Sequence, residues 1–178
     1  MSFPLGVMQH RVYIRETVEA DLSFLKQMLF EAFFWDPTVP RPSFAAFSAD
    51  TEFRKLLNEW GGRSGDKGLI AEQEAVAVGA AWFRLWTVDV HSHGFVSSTV
   101  PEVSIAVKEG CRSKGVGRAL MGSLVEVARA DGYPALSLSV SPKNYALKLY
   151  TSMGFRRVGE SGNSWTLMLS LDENGRDA

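Results

Sequence analysis

The chain of 178 residues is poor in several things at once, and each shortage narrows what it can be. A single cysteine, Cys111, allows no intrachain disulfide, so a reducing, cytoplasmic setting is the expectation. Long hydrophobic runs are missing. The longest apolar stretch, Ala75 to Phe83, is about half of the ~20 residues a membrane-spanning helix needs, and Arg84 ends it. The first residues, MSFPLGVMQHR, have neither the charged start nor the apolar core of a secretory signal, so no membrane partner is expected. Net charge is nearly absent, −1 at neutral pH, which argues against a surface devoted to nucleic acid. There is no internal repeat, low-complexity tract or long linker either. Residues 1–178 therefore read as one folding unit, with 1–11 and 172–178 as loose tails. Apolar residues at 46% against 22% charged are enough to build a packed core.

Hydrophobic periodicity predicts an α/β order. Val12 to Arg15 alternates as a short strand, and Thr17 is placed to cap a helix whose Leu22, Leu25, Met28, Leu29, Ala32 and Phe33 share one face. A second helix is predicted from Ala45 to Trp60, ending at the Gly61-Gly62 pair. Strands follow at Leu69–Glu72, Ala75–Val88 and Glu102–Val107, the last after a polar loop holding His91 and His93. Val116, Leu120, Met121, Leu124, Val127 and Ala128 then mark a helix, and Leu136–Val140 a strand. Ser141 with Pro142 predicts the start of a helix carrying Ala146, Leu149, Tyr150 and Met153 on its buried stripe. Strands at Phe155–Val158 and Trp165–Leu171 close the series. The expected order is β-α-α-β-β-β-α-β-α-β-β: a mixed sheet, largely antiparallel, with a late βαβ unit.

What is present is concentrated between strand and helix at VKEGCRSKGVGRAL, residues 107–120. The first half of the chain carries 9 basic and 12 acidic residues, the second half 10 and 8, and the basic excess gathers here. Gly115 and Gly117 let backbone N–H groups turn toward one point and let a bulky anion approach closely. The helix N-terminus adds about half a positive charge, and Arg112, Lys114 and Arg118 surround it. A diphosphate would fit. A Walker loop is excluded because Gly110 and Gly115 are followed by Val116, where the motif needs Lys and then Ser or Thr, and a Rossmann fingerprint fails at Leu120. A glycine-rich turn with solvated basic residues stays open as the plain alternative.

Downstream, SVSPKNYALKLYTSMGF places Asn144 at the start of a helix and Tyr150 on its buried face. The two motifs together, RxxGxG followed by NxAxxLY and GF, resemble the GNAT superfamily of acetyl-CoA-dependent N-acetyltransferases. PEVSIAV before the loop and the late Trp165–Leu171 strand extend that resemblance over most of the chain. It implies a GNAT-like fold and acetyl-CoA as acyl donor, bound by Arg112, Ser113, Lys114, Gly115, Val116 and Gly117, with Arg118 and Ala119 in the first helical turn. The backbone of Ile105, Ala106 and Val107 would pair with the pantetheine arm, with one N–H meeting the thioester oxygen. Asn144 would bond to the pantetheine or diphosphate side. Tyr150 matches the family's proton donor to the departing thiolate, against the alternative of a core tyrosine.

Transfer to an amine asks for a base. An amine of pKa ~10.4 is neutral in only about one molecule in a few thousand at pH 7, roughly 4.6 kcal/mol uphill. The resemblance implies Glu102, at a position where many members of that family keep such a carboxylate, acting directly or through water, against the alternative of a solvated strand-edge glutamate. Cys111 has no adjacent base and reads as an inert loop residue, and the family resemblance implies direct transfer within a ternary complex. His91 and His93 have no evident third ligand, so no metal is expected. Of Phe33, Phe34, Trp35, Trp82 and Trp86, one or two are expected to touch substrate. The acceptor is expected to be a small cationic amine drawn by Glu31, Asp36, Asp89 and Glu102. A peptide or protein acceptor and a non-catalytic acyl-CoA sensor are the rivals. Oligomeric state, a strand-edge homodimer included, stays open.

Overall fold

The computed structural model describes residues 11–172, so nearly all of the expected tails lie outside the described residues. Seven strands form one sheet in the order β1-β2-β3-β4-β5-β7-β6. They are β1 (Tyr13–Glu16), β2 (Lys67–Gln73), β3 (Val76–Arg84), β4 (Glu102–Val107), β5 (Ala135–Val140), β6 (Arg156–Ser161) and β7 (Ser164–Ser170). Every neighbouring pair is antiparallel except β4 and β5, which run parallel. The late βαβ unit is thus β4, helix α4 (Val116–Ala130) and β5.

The sheet is covered on both faces. On one, Leu120, Met121 and Leu124 of α4 are fully buried against Ala81, Phe83, Leu136 and Leu138. On the other, Leu25, Met28 and Leu29 of α1 (Leu22–Phe33) pack with Ile70, Ala80 and Trp82. Burying each such side chain contributes about 1.5–3 kcal/mol. β5 shows how alternation serves this arrangement. In Ala135-Leu-Ser-Leu-Ser-Val140, the leucines join the α4 core while Ser137 and Ser139 point the other way. The β2–β3 hairpin turns on Glu74 and Ala75 at φ of +52° and +62°, the double left-handed geometry of a type I′ turn without its usual glycine.

Three local expectations are corrected. The single helix expected over 45–60 is two, α2 (Phe44–Ala49) and α3 (Thr51–Leu57), parted at Asp50. Asp50 is extended (φ −68°, ψ 128°) and its carboxylate caps α3 by accepting from the Glu52 N–H, so it ends one helix and starts the next. Thr17 does not cap α1. Its N–H pairs with the Gly68 carbonyl at 2.9 Å, and a short helical turn over Glu19–Asp21 leads in. Ser141 does not open the last helix, which starts at Leu147 as α5 (Leu147–Ser152). Residues 141–147 instead take tight turns, with the Asn144 N–H on the Ser141 carbonyl and the Leu147 N–H on the Asn144 carbonyl.

A buried ion pair anchors the helices that flank the site. Arg84 at the end of β3 is 2% exposed, and its Nη2 lies 2.7 Å from Asp66. Its Nη1 donates to the Asn58 and Leu56 carbonyls at the end of α3. Such a charge is tolerable only because its donors are satisfied on every side.

Candidate active site

The site originates in a missing stretch of ladder. β4 and β5 share one register pair, Glu102 with Ser137, and the Ser137 N–H bonds the Pro101 carbonyl at 3.0 Å. Beyond that point the two strands separate. The Lys108 N–H bonds the Val78 carbonyl at 2.8 Å, and Gly79 stands opposite Val107. Alternation along an antiparallel pair then turns the peptide groups of Ser104 and Ala106 toward β3, and those of Ile105 and Val107 into the gap. Ile105 and Val107 therefore present backbone to the gap, while Ala106, which also borders it, packs against the α1 core.

At one end of the gap lies the 107–120 loop. Ser113 (φ 60°) and Gly115 (φ 85°) are both left-handed, which folds the backbone into a concave nest. The first α4 amide to find a carbonyl is that of Ala119, on Gly115 at 3.0 Å. Among the described residues the N–H groups of Val116, Gly117 and Arg118 are left over as donors. At Gly117 an added Cβ would lie 3.4 Å from the Leu149 side chain, in ordinary contact, so this glycine is not required for space. A groove of about 350 Å³ runs from this nest past Arg112, Ser113, Gly115, Gly117 and Arg118 to Ile105, Val107 and Tyr150.

Not every expected loop residue lines the groove. Val116 is 1% exposed and its side chain sits in the core, leaving only its amide available. Lys114 turns back to the Gly110 carbonyl at 2.9 Å, and neither it nor Ala119 borders the groove. Arg118 borders it and donates to Ser152 at 2.7 Å. Arg112 serves as a brace, with Nε on the Val107 carbonyl at 2.9 Å and Nη2 on Glu31 at 3.1 Å.

The groove continues into a chamber of about 210 Å³ that Glu102, Ile105, Asn144 and Tyr150 all border. Asn144 accepts from the Ala146 N–H at 2.8 Å through Oδ1. Tyr150 is 7% exposed, and its hydroxyl bonds to nothing among the described residues. Burial pushes it well above the ordinary tyrosine range, so it stays protonated. Glu102 is 8% exposed rather than solvated. Its Oε1 accepts from the Gly94 N–H at 2.9 Å, while its Oε2 is buried without a hydrogen-bond partner. Burial raises its pKa to about 7, against smaller opposing pulls from the Gly94 amide, Ser92, His91 and Trp86. Near neutrality it can therefore take up a proton and give it back.

The spacing of residues gave no hint of Gly94. A Cβ there would lie 2.7 Å from Glu102 Oε1 and 2.8 Å from the backbone of Leu138 and Ser139. This glycine is wedged where β4 and β5 part, and it is required for space rather than for an unusual φ. Ser92, His93 and Tyr145 also border the chamber unannounced by any motif. Of the five aromatics singled out, Phe33 and Trp35 border it, whereas Trp82 and Trp86 are buried in the core. His91 stacks on Phe95 at 4.6 Å and His93 faces Ser161 at 3.1 Å, so the pair does not converge. Among the described residues no three His, Cys, Asp or Glu side chains cluster as metal ligands, and no helix is long and apolar enough to cross a membrane.

The acidic set expected to attract a cation is largely engaged. Glu31 meets Arg41 at 2.8 Å as well as Arg112. Asp36 accepts from the Thr38 hydroxyl and amide, which hold its carboxyl below the usual range. Neither Asp36 nor Asp89 borders the chamber.

Comparison with known proteins agrees with this architecture. The model of the acetyltransferase (GNAT) family matches residues 26–155. A 65-residue stretch is 40% identical to the N-acetylaspartate synthetase of Danio rerio, covering 36% of this chain and 23% of that protein. The chain therefore matches only about a quarter of this relative's length. Among solved structures, yncA from Salmonella typhimurium, solved with its cofactor acetyl-CoA, is 23% identical with a TM-score of 0.64, over 94% of this chain and 98% of that one. PaiA N-acetyltransferase from Thermoplasma acidophilum, in complex with coenzyme A, is 16% identical with a TM-score of 0.70, over 90% and 99%. Ribosomal-protein-alanine N-acetyltransferase from Brucella melitensis is 24% identical with a TM-score of 0.63, over 89% and 99%. At these identities the likeness to solved structures is one of fold. The matched family span takes in the parted strands, the nest and Tyr150, and the chain belongs to the GNAT acetyltransferase family.

Proposed function

We propose that this chain, as a single domain, transfers the acetyl group of acetyl-CoA to a primary amine of a small molecule, directly within a ternary complex. The observation that carries this reading is the convergence of Glu102 and Tyr150 on one chamber beside an unpaired strand edge. The diphosphate rests on the Val116, Gly117 and Arg118 amides, within the nest formed by Ser113 and Gly115. The pantetheine arm lies along β4 and takes the backbone groups of Ile105 and the N–H of Val107, whose carbonyl Arg112 holds, as an added strand would. The Asn144 amide nitrogen is a further donor to that arm.

Chemistry follows from placement. Glu102, with a pKa of about 7, accepts the ammonium proton directly or through one water. The neutral amine attacks the thioester carbon, and negative charge develops on its oxygen near the Ile105 N–H. As the C–S bond breaks, the Tyr150 hydroxyl donates its proton to the leaving thiolate, and the proton that the attacking nitrogen sheds as the amide forms restores the hydroxyl, directly or through water. The proton held by Glu102 then returns to solvent. No acyl-enzyme is formed, and Cys111 takes no part.

The test is free-thiol release from acetyl-CoA across a panel of amines. Glu102→Gln should lower turnover at neutral pH without changing acetyl-CoA affinity, and raising the pH should restore part of the rate. If the variant turns over like wild type at every pH, the base assignment is wrong.

A further inference from the structure

The geometry points to an acceptor carrying one amine on an apolar, ring-sized body, of the arylalkylamine kind, rather than a polyamine or an amino acid. This deepens the acetyl-transfer reading above and rests on it for the placement of the amine at Glu102.

A second cavity adjoins the chamber at Glu102. Phe33, Leu56, Ser92 and His93 border the chamber, and the same four residues border the second cavity, of about 260 Å³. Phe53 and His91 help to close that second space. A cavity of about 150 Å³ holds a benzene ring, so the second space takes a substituted ring while the amine stays in the first. Its apolar wall is ready-made. Phe33 is 40% exposed at the end of α1 and meets Phe53 edge-to-face at 4.8 Å. Offset or edge-on packing of a further ring on this pair is the favoured aromatic geometry.

The charges around both spaces decide against the alternatives. Glu31 is neutralised by Arg41 and Arg112, and Glu52 by Lys55 at 2.6 Å. Glu102 is the remaining carboxylate bordering either space, and it serves the reacting amine. A polyamine would bring second and third ammonium groups with no carboxylate left to meet them. A free amino acid would bring a carboxylate, yet Arg112 and Lys55 already hold partners. The histidines are likewise occupied: His91 stacks on Phe95 with its Nδ1 on the Ser92 carbonyl, and His93 pairs with Ser161. An apolar body leaves all of these pairings intact.

The experiment titrates 2-phenylethylamine, spermidine and aspartate by calorimetry into protein saturated with coenzyme A, which binds without reacting. Free-thiol release is then measured with the same three amines and acetyl-CoA. We expect 2-phenylethylamine to bind at least about tenfold more tightly than the others, and Phe33→Ala to weaken it by about tenfold, the size of a lost ring contact. Spermidine or aspartate binding as tightly, no binding of 2-phenylethylamine, or indifference to Phe33→Ala would overturn the inference. Selective binding that depends on Phe33, without thiol release, would uphold the acceptor class and sink the acetyl-transfer reading. Fast release with spermidine or aspartate would do the reverse.

Discussion

Glu102→Gln is a test of stability as well as of rate, because the burial that tunes the carboxylate also strains the fold. The ordinary glutamate value of 4.5 rises to about 7 in the folded protein, so the folded state binds a proton that the unfolded state releases. The stability contributed by the neutral carboxyl is complete below pH 4.5. It declines as the pH climbs through about 7 and then levels off. At 1.36 kcal/mol per pH unit the full loss is about 3 kcal/mol, most of which falls between pH 5 and 8. Glutamine has no proton to release. Urea unfolding of wild type and variant at several pH values therefore should give curves that separate, the variant gaining on wild type by about that amount as the solution is made alkaline. The comparison of slopes is insensitive to the constant cost of placing an amide in the pocket. Parallel curves would show that Glu102 titrates like an exposed residue, and would remove the basis for its role as a base poised near neutrality.

Three further outcomes follow from the same geometry. Gly115→Val forces a branched side chain into φ 85° and should weaken acetyl-CoA binding at least about tenfold, since the strain of about 1–2 kcal/mol falls on the nest itself. Lys114→Ala should leave that affinity nearly unchanged, and calorimetry that ranks the two in the opposite order would contradict the nest. Tyr150→Phe keeps the buried ring and should lower turnover by about a hundredfold, the low end for general acid catalysis toward a good leaving group, with affinity retained; turnover equal to wild type would leave Tyr150 a core residue. Gly94→Ala sets a methyl 2.8 Å from β5 backbone that cannot yield, so it should cost about 1–3 kcal/mol by denaturation and depress turnover by displacing Glu102. A fully active, fully stable variant would show that the wedge is not needed.

Much of this was legible in the chain because it is local. The apolar stripe of α4 repeats at helical spacing, the left-handed Gly115 sits at its mouth, and Tyr150 follows at a readable interval. Asp50 was legible in principle, being a capping residue type in the middle of a predicted helix, but apolar periodicity on both sides hid the break. Other features depend on partners far away in sequence. Glu31 looked like an attractive acid until the fold brought Arg112 to it from 81 positions on. Glu102 was readable as a base or as a solvated strand-edge glutamate, and its burial beside Gly94, eight positions away, could not be read from spacing. No spacing rule announces a glycine that is needed for what lies beside it rather than for its own dihedral angles. The acceptor side is likewise assembled from separate loops and helix ends, Phe33, Leu56 and His93, which no single motif joins.

The parting of β4 from β5 also bears on solubility. An unpaired strand is ordinarily a template on which another chain can grow, and proteins blunt such edges with charge, proline or a covering helix. Here the unpaired segment, Ile105 to Val107, is half-buried and carries no charged side chain. It is guarded by its position, since β5, the Tyr145 turn and the brace between Arg112 and Glu31 stand on either side of it. A foreign β-strand brings side chains on both faces and needs the clearance of a whole ladder. A slender linear amide with no side chains of that bulk does not. On the acetyl-transfer reading, the cleft admits the arm of a thioester donor, whereas a strand with side chains on both faces would meet the groups that line it.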